Sequence, residues 1–340
     1  MKNKRIIYGI AAIIILGIVL FVLNLFVGST SIPCKDVLKV LLQGGDDNSF
    51  ITKIILNLRL PHAITALMAG AALAVSGLLM QTLFRNPLAD PSMLGISSGA
   101  SLGVGVVTIL TGAVTGVAMS AFEWWSTIGV SLAAFIGAVL VLFVMLAFSA
   151  RVKNITTLII IGLMIAYLAG SLTDILRFIG RKEDIHAFLI WGMGSFAVES
   201  SKILIFSISI IIGLIATFFL SKNLNILLLG EMYAENLGIN IRRNSVTIIL
   251  VSGYLTAIVT AYCGPIAFIG LAIPHIARFV FKSSDHRLLI PATMLIGMDM
   301  ALFCNLIADL PWFGINLPIN AVTAFIGAPV VISVIMKNKK

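Results

Sequence analysis

Long apolar runs alternate with short polar stretches along nearly the whole chain. Runs of about 17 or more mostly apolar residues recur, each long enough at roughly 1.5 Å per residue to cross a hydrocarbon core as a helix. They fall at 6–27, 57–83, 93–112, 127–149, 155–178, 203–220, 245–262, 266–281, 289–308 and 318–336. The pattern predicts an all-α polytopic membrane protein with about ten transmembrane helices. No long polar linker, low-complexity run or fixed-period repeat divides the sequence, so residues 1–340 read as one domain. The first run is too long for the apolar core of a cleavable signal and has no small-residue cleavage site, so it is expected to remain as the first span.

The polar interruptions differ in kind. "LLLGEMYAENLGINIRR", Leu227 to Arg243, predicts a short helix between two greasy runs. On that helix Glu231 and Glu235 share one face, and Leu229, Tyr233 and Leu237 follow one another on the opposite face. Gly238 is placed to end it in a left-handed conformation. "FRNPLADP" sets Asn86-Pro87 and Asp90-Pro91 in a tight turn that neither flanking helix can continue. "GPIAFIGLAIPHIAR" puts Gly264, Pro265, Gly270 and Pro274 in a single apolar run. A broken helix at membrane depth is tolerated only where protein or a water-filled cavity satisfies the freed backbone groups, which favours a transport path over a plain anchor. Residues 28–53 and 179–202 form longer connections, the second with a short interfacial helix expected at Ala187 to Trp191.

Charge then orients the chain. Lys2, Lys4 and Arg5 at the start and Lys337, Lys339 and Lys340 at the end place both termini in the cytoplasm by the positive-inside rule. Of the 23 Lys and Arg, this topology leaves Lys35, Lys39, Lys53, Arg59, Arg177, Arg181, Lys182 and Lys202 outside and the other fifteen inside. The net charge of +9 is thereby explained by topology and does not point to nucleic acid. The composition, 59% hydrophobic and 11% charged, excludes an ordinary soluble domain, in which roughly a quarter of residues are charged. Cys34, Cys263 and Cys304 have no metal-type spacing and the four histidines do not cluster, so neither a structural metal nor a cofactor is expected.

No phosphate-binding P-loop, His-Glu-x-x-His or Gly-x-Ser-x-Gly is present, so catalytic residues are not expected and the chain should not hydrolyse ATP. An ion-coupled carrier would bury several ionisable groups, and the mid-span candidates are Asp174 and Asp299.

Five segments, in order, carry a family resemblance: "RLPHAITALMAGAALAVSGLLMQTLFRNPLADPSMLGISSGAS" (Arg59 to Ser101), "GEMYAENLG" (Gly230 to Gly238), "GPIAFIGLAIPHIARF" (Gly264 to Phe279), "DHRLLIPA" (Asp285 to Ala292) and "GAPV" (Gly327 to Val330). Together they resemble the iron-siderophore and vitamin B12 (FecCD-type) permease subunits of bacterial ABC importers. The resemblance implies a multi-pass subunit of the cytoplasmic (inner) membrane that forms a homodimer or heterodimer with a second permease. Two cytoplasmic ATPase subunits and a periplasmic or lipid-anchored substrate-binding protein complete such importers. It further implies that Gly230, Glu231, Ala234, Leu237 and Gly238 enter a groove of the ATPase, with Ala234 packed into it. Arg59, with Arg177 and Arg181, is expected to dock the binding protein, and Thr156 and Thr157 in "KNITT" to form the cytoplasmic gate. His62, Asp309 and Asn316 depart from the family's charge pattern. Asp299 either lines the path or is held by a neighbouring helix. A ferric siderophore is the expected cargo, with vitamin B12 and haem as alternatives within the family and an ion-coupled carrier as the alternative outside it.

Overall fold

The computed structural model describes residues 2–28, 30–43, 49–110, 123–152, 155–310 and 317–337, and every regular element among them is helical. In chain order these are α1 (Lys2–Phe26), α2 (Cys34–Gln43), α3 (Phe50–Leu83), α4 (Ile96–Leu110), α5 (Glu123–Ser149), α6 (Ile155–Ile179) and α7 (Lys182–Gly192). They continue with α8 (Ser200–Leu227), α9 (Glu231–Asn236), α10 (Ile241–Cys263), α11 (Ile269–Phe281), α12 (His286–Ala308) and α13 (Ile319–Lys337). Seven of them (α1, α3, α5, α6, α8, α10 and α12) contain stretches long and apolar enough to cross a membrane, and α4, α11 and α13 are shorter apolar helices. Every apolar run read from the sequence overlaps one of these. The connection at residues 28–53 contains the amphipathic α2, whose Val37 and Val40 pack against Ile55 of α3.

The bundle is built around α3, which packs against α8, α10, α11 and α12. Its most apolar window is 83% buried, whereas that of α1 is 6% buried, so the first helix lies on the perimeter and the second long one at the centre. Small residues make this possible, because apolar surface gains little by leaving lipid and helices in a membrane associate through close packing and hydrogen bonds. A Cβ on Gly77 would lie 1.8 Å from the carbonyl oxygen of Gly270, so α3 and α11 touch backbone to backbone. One residue away Ser76 Oγ meets Ser252 Oγ at 2.7 Å and Thr256 Oγ1 at 2.9 Å, tying α3 to α10.

A π-helical turn over Ile55–Arg59 interrupts α3 just before Pro61. Proline has no N–H to offer Asn57, and its ring crowds that carbonyl, so the preceding turn widens. The orphaned Asn57 carbonyl instead accepts a hydrogen bond from Ser200 Oγ at 3.1 Å, which pins the start of α8 beside it.

The run containing "GPIAF" breaks as expected. Helix α10 ends at Gly264 with φ +72°, the chain is non-helical to Phe268, and α11 restarts with Pro274 inside it. The freed groups are met by protein: Ser195 N donates to Cys263 O at 2.8 Å, Asn320 Oδ1 accepts from Ala267 N at 3.1 Å, and Asn320 N donates to Met193 O at 3.1 Å. The exit of α7 and the start of α13 therefore enclose the break.

Candidate functional site

These bonds give the bundle two ends. The connections after α3 and α8 lie at one end, because Arg85 Nη2 donates to Leu227 O at 3.3 Å. The start of α3, the exit of α7 and the break before α11 lie at the other.

At the first end a set of polar side chains locks four helices together. His286 at the start of α12 faces Thr82 Oγ1 of α3 at 2.8 Å through Nε2 and Asn225 Oδ1 of α8 at 2.8 Å through Nδ1. Asn225 Oδ1 also accepts from the His286 backbone N–H, which fixes the amide so that Nδ2 donates to Asp285 Oδ1 at 2.6 Å. Asp285 caps α12 by accepting from Arg287 N, and that bond together with Asn225 holds its carboxyl below the usual carboxylate range. Arg278 donates to Gln81 Oε1 at 2.7 Å, and His275 Nε2 lies 2.7 Å from Pro87 O. The "DHR" of the sequence is thus a clamp between α3, α8 and α12.

The segment from Leu227 to Arg243 leaves α8 two residues after this clamp. Gly230, with φ +112°, turns the chain out of α8, and Glu231 opens α9. At the other end Ile239 N donates to Ala234 O at 3.0 Å and Gly238 N to Glu235 O at 2.9 Å. With Gly238 at φ +82° this is a Schellman ending, the left-handed stop read from the sequence. The facing of the helix differs from the expectation in one respect: Ala234 is fully buried inside this subunit and does not present itself to a partner. Gly230 and Gly238 lie outside the six helical residues and Gly238 is exposed, so no spacing in the sequence marks Ala234 as the inward position. The outward surface carries three large apolar side chains beside the exposed Glu235 and Asn236, with Met232 at 79%, Tyr233 at 67% and Leu237 at 60% exposure. Leu228 and Leu229 extend it. An apolar patch on a polar connection marks a contact with a protein or with the membrane surface.

At the far end the three expected docking arginines divide. Arg177 donates to Asp174 Oδ1 at 3.0 Å and lies 4.8 Å from the centre of the Phe188 ring, and Arg181 immediately precedes the adjoining α7. Both belong to one outward corner. Asp174 is therefore a partner of Arg177 near the end of α6, with its side chain 72% exposed, and is not a mid-span acid. Arg59 is buried and faces inward. Its guanidinium donates to Leu25 O and Phe26 O at 2.9 Å, carbonyls of the last turn of α1, and to Thr30 O beyond the helix. Burial raises the Asp309 carboxyl at the same end, against the opposing pulls of its Asn305 hydrogen bond and of positive Arg59.

Thr156 and Thr157 lie exposed in the first turn of α6, while Lys153, Asn154 and Asn316 fall outside the described residues. Asp299, 9% exposed, lines an otherwise apolar cavity of about 470 Å³ between α1, α11 and α12. Its Oδ1 lies 2.5 Å from where a Cβ on Gly17 would stand, so α1 makes room for the carboxyl by lacking a side chain there. The acid is held in an interhelical groove.

Comparison with known proteins agrees with this architecture along almost the entire chain. Residues 15–337 match the FecCD transport family. The vitamin B12 import system permease protein BtuC of Klebsiella pneumoniae is 32% identical over 338 residues, covering 99% of this chain and 95% of that protein. The hemin transport system permease protein HmuU of Yersinia pestis is 32% identical over 330 residues, with 96% of each chain covered. A solved structure described as an inward-facing conformation of a metal-chelate type ABC transporter superposes with a TM-score of 0.81 at 28% identity, covering 96% of this chain and 98% of that one. The chain belongs to the FecCD transport family and is a multi-pass membrane permease of the ABC-transporter type, not a catalytic subunit.

Proposed function

We propose that the chain is the permease of an ATP-driven importer that carries a large iron chelate, a ferric siderophore, across the bacterial cytoplasmic membrane. The observation that carries this reading is the apolar face of Met232, Tyr233 and Leu237 on a segment clamped to α3 and α12. Such a face needs a partner, and a separate ATPase is the partner that this family type implies.

The arrangement has ten spans, with α4, α11 and α13 crossing as part of the packed bundle and both termini in the cytoplasm. Helix α1 finishes at Arg59 and α13 starts at Asn320, both at the far end, so each has its other end on the coupling side. Two copies, or this chain and a close homologue, enclose the path. The exposed Leu163, Met164, Tyr167 and Leu168 of α6 offer a surface for that pairing. Thr156 and Thr157 gate the path at the inner end. Arg177 and Arg181 receive the substrate-binding protein, and Arg59 shapes the surface from beneath by holding the end of α1.

Vitamin B12 and haem stand level with the iron chelate as cargo, because relatives of equal similarity are named for them. The test is uptake by proteoliposomes holding the permease, its ATPase and its binding protein, offered a ferric siderophore, cobalamin and haem in parallel. Preferential accumulation of the siderophore supports the proposal, and preferential accumulation of either alternative replaces the cargo while leaving the importer reading standing.

A further inference from the structure

Beside the coupling segment, between the end of α8 and the start of α10, lies a second cavity of about 370 Å³. Its polar lining is Asn223 of α8, Gly238 and Asn240 of the connection, and Arg243, Asn244 and Thr247 of α10. Arg243 is the single charge among the lining residues and has no acidic partner among the described residues. Asn240 caps α10 by accepting from Arg243 N at 2.9 Å, so the cavity opens at the positive end of a helix of 23 residues. Asn244 is 5% exposed; its Oδ1 accepts from Asn223 Nδ2 at 3.1 Å, while its Nδ2 has no hydrogen-bond partner among the described residues. A buried amide N–H without an acceptor is costly, and here it lines a cavity whose other polar groups favour an anion.

The surroundings decide which anion. One turn from Asn223 along α8 stands Phe219, 81% exposed, and Leu250 of α10, 46% exposed, lies three residues beyond Thr247. A polar, cationic pocket thus gives way to an apolar seam within one helical turn. A soluble phosphate would use the pocket alone, but a phospholipid uses both, with its phosphate at Arg243 and its acyl chains along the seam.

We propose that this cavity binds the phosphodiester headgroup of an anionic glycerophospholipid. The lipid would brace the exit of the coupling segment at Gly238 against α8 and α10. The proposal rests on the topology given above only in assigning this end to the inner leaflet.

The test uses the full chain in detergent, with native mass spectrometry reading the binding of phosphatidylglycerol and phosphatidylcholine of identical acyl chains. Phosphatidylglycerol should bind preferentially, and Arg243→Gln should weaken it about tenfold, the loss of one charge-assisted hydrogen bond. Arg243 is exposed and unpaired, so this variant leaves folding intact. Asn244→Leu should also reduce the preference, whereas an amide that is merely buried would leave the preference unchanged. Equal affinity for the two lipids, an Arg243→Gln variant that binds like the parent, or displacement of phosphatidylglycerol by millimolar inorganic phosphate overturns the proposal. None of these outcomes bears on ATP-driven uptake, so failure here is distinguishable from failure of the importer reading.

Discussion

Gly238 gives a perturbation whose size can be worked out from the backbone alone. Its φ of +82° lies in the left-handed region, and apart from its chain neighbours no heavy atom of the described residues lies within 4 Å of where a Cβ would stand. Substitution there therefore meets no steric obstacle, and its cost is conformational, roughly 1–2 kcal/mol for an ordinary L-residue. That amount changes the ratio of closed to opened Schellman ending by a factor of about 5 to 30. No spanning helix is touched, so the variants should insert and remain monodisperse at the parent's yield. A series separates the backbone effect from any other: Asn tolerates the left-handed region, Ala does not, and the β-branched Val fits least. In proteoliposomes with the ATPase and loaded binding protein, stimulated ATP hydrolysis should fall in the order Gly, Asn, Ala, Val, with uptake falling in parallel. Parent-level uptake by Gly238→Val, or an Asn variant as impaired as Val, would refute the reasoning that a rigid ending transmits the ATPase movement.

Three further outcomes follow from where side chains point. Tyr233→Glu should abolish co-purification of the ATPase while leaving the thermal midpoint unchanged, whereas Ala234→Leu should destabilise the permease itself by about 1–3 kcal/mol through overpacking; the reverse pattern would invert the assigned faces. Arg59→Met should lower the thermal midpoint by an amount corresponding to about 2–3 kcal/mol, because the α1 carbonyls lose their charged donor; an unchanged midpoint would remove the brace. Asp299→Leu should raise stability by about 1–3 kcal/mol, since an acid without a partner among the described residues leaves an apolar cavity. Full uptake by that variant would show that Asp299 does not touch cargo, and lost uptake with unchanged stability would place it on the path.

The apolar runs were legible because membrane crossing imposes length and apolarity on each helix separately. Local chemistry was legible too: the Gly238 stop and the Gly264-Pro265 break depend on the residues at those positions and little else. What escaped the sequence is what tertiary contact decides. A six-residue helix such as α9 has faces that acquire meaning only from the helices it hangs on, so Ala234 looked like a contact residue until α8 and α10 were placed behind it. Arg59 reads as an outer basic residue by position, yet the widened turn before Pro61 aims it at a helix end distant in sequence. Asp174 looks mid-span within its apolar run, but α6 extends to Ile179 and brings it close to the far end beside Arg177.

The most direct measurement of the central claim is cargo accumulation by the reconstituted permease under two energy sources. Proteoliposomes holding the permease, its ATPase and its binding protein should accumulate the chelate with ATP, and the permease alone should accumulate none under an imposed proton or sodium gradient. Accumulation by the permease alone, driven by either gradient without ATPase or ATP, would contradict the account and make the chain an ion-coupled carrier.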